Sequence, residues 1–164
     1  MAPNPGLPPL LAIVSLILAL ILSIMPIPGT LGYARPEWVL LTLVYWTMAF
    51  PGRVGILTAF SAGLLLDVLQ HQVLGQNALG FALISFIILQ IYPQLRVFPI
   101  WQQSIVIAFL VALYLLVQLW ILGTTGFPPA TVWYWTPILT SAIAWPIVYH
   151  LLRDLRRRWL LHLT

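Results

Sequence analysis

The sequence predicts an all-α integral membrane protein, a bundle of six transmembrane helices with both termini cytoplasmic. Three observations carry that expectation. Of 164 residues, 62% are hydrophobic and only 6% are charged, where a soluble domain has about a quarter charged. So few charges cannot cover a water-facing surface. Prolines, glycines and arginines cut the chain into six apolar segments, near 9–25, 36–50, 54–70, 77–93, 101–123 and 133–152. Along a six-span path, Arg53, Arg96, Arg153, Arg156, Arg157 and Arg158 fall on one side and Arg35 alone on the other. Basic residues favour the cytoplasmic side. No polar stretch exceeds a loop, so residues 1–164 read as a single transmembrane domain.

The N-terminal "MAPNPGLPP" is uncharged and lacks the basic region of a secretory signal, so Leu10 to Met25 reads as a retained first span. Ser15, Ala19 and Ser23 give it a face of small residues. The second span opens at "RPEW" and is short: about 15 residues rise about 22 Å, against a hydrocarbon core near 30 Å. A re-entrant hairpin of the second and third segments would bury Arg53 at its tip, at roughly 2.5–3.5 kcal/mol or more. Two short spans in a thinned bilayer are the preferred reading.

The third span carries the most information. At a spacing of four it reads Gly55, Ala59, Gly63, Asp67 and His71. Small residues let helix backbones approach closely in lipid. Gly55, Ala59 and Gly63 therefore form a packing groove, for a helix of the same bundle or for a partner's. Asp67 lies about 21 Å of helix beyond Arg53, in the outer part of the membrane. It either reaches the outer interface or pairs inside the bundle, since intramembrane acids usually face the interior. Arg35 lies at similar depth, and an Arg35–Asp67 ion pair would clamp the second and third spans. Glu37 and His71 complete a polar group at that end, enough to line a small outer pocket.

In the last three spans, Gln90 and Gln118 are isolated amides suited to joining helices, and Pro146 should kink the sixth span. The tail "LLRDLRRRWLLHLT" reads as an amphipathic continuation on the inner leaflet. There Arg153, Arg156, Arg157 and Arg158 anchor, each worth about 1 kcal/mol near anionic lipid.

Several function classes find no support. Four of the seven arginines sit in the last dozen residues, so a pI near 10.0 reflects membrane orientation and not nucleic-acid binding. There is no cysteine. No nucleophile, base and orienting group come together, and neither metal-ligand spacing nor a phosphate-binding glycine loop is present. No catalytic residue, metal or cofactor is expected. A transporter normally carries several polar groups near the midplane, a depth that is nearly bare here.

The stretch "ARPEWVLLTLVYWTMAFPGRVGILTAFSAGLLLDVLQHQVLGQNAL" resembles the central region of the MreD family of bacterial rod shape-determining membrane proteins. Arg35-Pro36 with Trp38, Tyr45-Trp46, the "PGRVG" turn and the Gly63–Asp67–Gly75 series carry the resemblance. It implies a non-enzymatic, multi-pass inner-membrane component of the cell-wall elongation machinery. Its main partner would be the transmembrane helix of MreC, with MreB, RodZ, RodA and its transpeptidase reached through the complex, and membrane lipid around it. The groove on the third span, or the small face of the first, is expected to receive the MreC helix. The resemblance also implies a fold similar to the substrate-binding subunits of energy-coupling-factor transporters. The alternative from another class is thus a small-molecule or lipid-binding transport subunit.

Overall fold

The computed structural model describes residues 7–126 and 132–161. The end of the expected basic tail, 162–164, and most of the turn before the sixth segment, 127–131, lie outside the described residues. Among the described residues the chain is all-helical. Six α-helices cover the six apolar segments: α1 Leu7–Ile24, α2 Trp38–Ala49, α3 Ile56–Leu69, α4 Gln76–Val97, α5 Ile100–Thr125 and α6 Thr136–Leu161. Short 3-10 turns, Gly29–Gly32 and Val132–Trp135, precede α2 and α6. Two helices, α4 and α5, are long and apolar enough to cross a membrane.

The shortest helix lies at the centre. α2 is apolar all the way round, and every residue from Val39 to Met48 is buried. Such a helix has no solvated face to offer and must be enclosed by others. Accordingly α2 packs against α1, α4 and α6, while α4 packs against α2, α3 and α5. The main partner of α3 is α4 and not α2, so α2 and α3 are not the clamped hairpin expected from the short "PGR" connection.

Polar side chains inside the bundle bind one helix to the next. Trp46 Nε1 on α2 donates to Ser15 Oγ on α1 at 2.7 Å, and Ser15 in turn donates to the Ala12 carbonyl. Gln103 on α5 donates to the Leu95 carbonyl at 2.9 Å and accepts from Trp145 Nε1 on α6 at 3.1 Å, joining three helices. The Ser141 hydroxyl on α6 accepts the Glu37 N–H at 3.0 Å, satisfying a free amide where α2 begins. One expectation changes here: Gln90 is exposed and makes no hydrogen bond among the described residues. Pro146 lies inside α6 and Pro93 inside α4, and both helices continue past their proline.

Candidate functional site

The small-residue stripes are filled by the chain itself. A Cβ on Gly63 would meet Ala78 Cα, and would lie 2.6 Å from Ala78 N and 2.8 Å from the Asn77 carbonyl carbon. α3 and α4 thus touch backbone to backbone at this point. Ala59 is wholly buried beside it. Gly55 is the N-cap of α3, and the nearest atom to a Cβ there is Leu89 Cδ1 at 3.9 Å. On α1, Ser15, Ala19 and Ser23 are buried too. Ala59, Gly63, Ser15, Ala19 and Ser23 are thus covered within the chain and only Gly55 is half-exposed, which tells against the expectation that one of these stripes receives a partner helix. At Gly63 the physical reason is plain: the backbone of α4 occupies the space a side chain there would need.

The Arg35–Asp67 ion pair is also corrected. The Asp67 carboxylate, fully buried, accepts the backbone N–H of Gly75 at 2.9 Å and of Asn77 at 2.8 Å. These amides open α4, whose first turn has no intrahelical acceptor for them. The carboxylate of one helix therefore caps the next, where the helix dipole also favours an acceptor. Gly75 sits at φ +95°, a left-handed conformation that glycine adopts without strain. It turns the chain so that both amides face back to Asp67.

Arg35 instead donates through both terminal nitrogens to the carbonyls of Ser23 and Met25, which end α1. Arg96, in the last turn of α4, does the same for α2: its Nε donates to the Met48 carbonyl at 2.8 Å and its Nη2 to that of Ala49 at 3.2 Å. Cations at helix C-termini meet the negative end of the dipole. Asp67 and Arg96 thus cap a helix other than their own, and Arg35, in the segment before α2, caps the end of α1.

Asn77 carries the capped turn into a buried polar network. Its carbonyl oxygen accepts from the Tyr114 hydroxyl and from Gln118 Nε2 at 2.9 Å, and its amide donates to Gln72 Oε1 at 3.0 Å. Beside this network the ends of α1, α2, α3, α4, α5 and α6 surround a cleft of about 270 Å³. Arg35, Glu37, Gln70, Gln76, Gln118 and Tyr134 are among the residues lining it. Among the described residues, Gln118 Oε1 is buried there without a hydrogen-bond partner, and the Glu37 carboxylate makes no hydrogen bond or ion pair. His71 stands outside this group, exposed at φ +54° in the turn after α3.

Of these residues, Asn77 and Tyr114 escape sequence reading altogether. A run of amides after the acid, "DVLQHQVLGQN", is the signal that was available. At the opposite end, Arg153 lies 3.8 Å from Asp154 and over the Tyr149 ring. Arg156 turns inward over the rings of Tyr45 and Phe50, whereas Arg157 and Arg158 are exposed. The four tail arginines are therefore not equivalent.

Two comparisons bear on this arrangement. A family model described as "rod shape-determining protein MreD" matches residues 7–155. The chain is 32% identical over 152 residues to Rod shape-determining protein MreD of Haemophilus influenzae, a match covering 89% of this chain and 90% of that protein. No solved structure matches it.

Proposed function

Because the chain belongs to the MreD family of rod shape-determining proteins, we propose that it is a non-enzymatic membrane scaffold of the cell-wall elongation machinery. In this reading it lies in the bacterial inner membrane with six crossings and both termini cytoplasmic. It binds the MreC transmembrane helix and reaches MreB, RodZ, RodA and its transpeptidase through that complex. The observation that carries the reading is a family match running through all six helices. A 12-residue α2 rises only about 18 Å, yet irregular backbone is tolerated at membrane depth where protein encloses it. Here α1, α4 and α6 enclose α2, and Arg96 and Ser141 satisfy its ends.

With both small-residue faces occupied internally, the MreC helix must meet an outward apolar face. Exposed Ile17 on α1, Phe109 on α5 and Ile143 on α6 sample three such faces. A photo-crosslinking residue placed at each should yield an MreC adduct in cells from at least one face and none from buried Leu66. Absence of any adduct, with the variants inserted at normal levels and rod shape retained, would refute direct MreC binding.

The second reading, a small-molecule or lipid-binding subunit with a fold similar to energy-coupling-factor substrate-binding subunits, is favoured by one observation. The 270 Å³ cleft is polar, and Gln118 Oε1 has no partner in it. Its volume falls just below the roughly 300–1,000 Å³ typical of small-molecule sites, which suits a headgroup better than a vitamin. The purified chain alone in liposomes should give no saturable uptake of vitamins or metal ions. Saturable uptake abolished by Gln118→Leu would establish the second reading in place of the first.

A further inference from the structure

The C-terminal ends of α2, α4 and α6 converge on a cavity of about 340 Å³ at the end of the bundle opposite the cleft. Tyr45, Met48, Ala49, Arg96, Tyr149 and Arg156 line it. Its ionisable side chains are two guanidiniums and two phenols, with no carboxylate among them. Asp154, the nearest acid in sequence, is exposed and turned to Arg153.

Two of these groups lack partners. Tyr45 is 3% exposed, yet its hydroxyl makes no hydrogen bond among the described residues. A buried polar group left unpaired costs about 1–3 kcal/mol, so an orphan phenol in the middle of a packed helix calls for an acceptor. The Arg156 guanidinium lies 5.9 Å from the Tyr45 ring centre and 6.0 Å from that of Phe50, and makes no hydrogen bond or ion pair among the described residues. Arg96 uses Nε and Nη2 on the last carbonyls of α2 and keeps Nη1. The cavity thus offers hydrogen-bond donors and positive charge. A guanidinium fork matches the geometry of phosphate oxygens.

From this arrangement we infer that the cavity is an oxyanion site, occupied by the phosphodiester of an anionic phospholipid headgroup, with Arg156 and the Tyr45 hydroxyl as its principal donors. The lipid as source rests on the proposed orientation, which places this end at the cytoplasmic leaflet, where basic pockets between helices take anionic headgroups. The oxyanion chemistry does not depend on that orientation. Arg156 is thereby set apart from Arg157 and Arg158, whose exposed guanidiniums act on the surface only through general attraction.

The test uses the full chain in detergent micelles, supplied with phosphatidylglycerol or phosphatidylcholine, with retained lipid counted by native mass spectrometry. Wild type should retain phosphatidylglycerol over phosphatidylcholine. Arg156→Gln should lower that retention about tenfold, as for hydrogen bonds to a charged group, and Tyr45→Phe about fivefold, as for one hydroxyl bond. The Arg157→Gln/Arg158→Gln double variant should retain lipid like wild type. Tyr45→Phe keeps the ring, so its melting temperature checks that the bundle is intact. Thermal stabilisation by inorganic phosphate alone, lost in Arg156→Gln, would support the oxyanion site, and phosphate competing phosphatidylglycerol off at equal concentration would overturn the lipid as occupant. Equal losses in Arg156→Gln and the double variant, with none in Tyr45→Phe, would overturn the site itself. Neither result bears on MreC binding, because the partner is absent from the experiment.

Discussion

Gly63→Ala is expected to destabilise the bundle by about 3 kcal/mol, near the upper end for overpacking, although alanine is intrinsically the better helix residue. The propensity gain is about 0.5–1 kcal/mol. It is outweighed because the new Cβ meets Ala78 Cα, Ala78 N and the Asn77 carbonyl carbon, all backbone. No rotamer change relieves a clash with backbone, so α3 and α4 must separate along their length. Gly63→Leu should prevent folding altogether. Gly55→Leu should cost less than 1 kcal/mol, since the nearest atom to a Cβ there is the flexible end of Leu89 at 3.9 Å. Heating detergent-solubilised variants and following the monodisperse peak by size exclusion measures the order. A Gly63→Ala protein as stable as wild type would show that the two helices are not in backbone contact. Loss of MreC capture in Gly63 variants must therefore be compared with their folding, because this residue acts inside the chain.

How far the sequence could be read follows from which interactions are local. Helix positions were legible because Pro26, Pro28, Pro51, Gly52 and Pro99 interrupt apolar runs at three of the five connections. The role of α2 was less so. Its length marked it as unusual, but only packing shows α1, α4 and α6 around it. All-round apolarity without an amphipathic face was the available sign of burial on every side. The spacing of Gly55, Ala59 and Gly63 points to close approach, which the structure has at Gly63 and not at Gly55, and says nothing about whose helix approaches. Spacing on one helix carries no information about the helix across from it. An Arg35–Asp67 pair rests on depth alone, and depth does not distinguish a carboxylate from helix-end carbonyls as the acceptor. Tail position likewise groups Arg156 with Arg157 and Arg158, although a step of one residue, about 100° around the helix, separates an inward side chain from outward ones.

The Asp67 cap admits the sharpest test of that correction. Asp67→Ala leaves the N–H groups of Gly75 and Asn77 without their acceptor in a buried place. At about 1–3 kcal/mol for each stranded group, the expected cost is about 4 kcal/mol, enough to unfold much of the protein at moderate temperature. Asp67→Asn offers one carbonyl oxygen and turns an NH₂ toward the other amide, so it should recover less than half of that loss. Arg35→Ala removes the donors to Ser23 and Met25 at the end of α1 and should cost about 1–3 kcal/mol by the same reasoning. The two side chains share no hydrogen-bond partner. In a double-mutant cycle their losses should add to within about 0.5 kcal/mol, as independent sites do. An ion pair would instead show coupling, since the second substitution removes an interaction the first has already broken. Coupling of about 1–2 kcal/mol, read from melting of the four proteins in one detergent, would restore the Arg35–Asp67 pair. Additive losses would leave Asp67 as the cap that starts α4 and Arg35 as the cap that ends α1, with Gly63, Asp67 and Gly75 explained as one helix-turn-helix device: close contact at Gly63, an acceptor at Asp67 and a left-handed turn at Gly75.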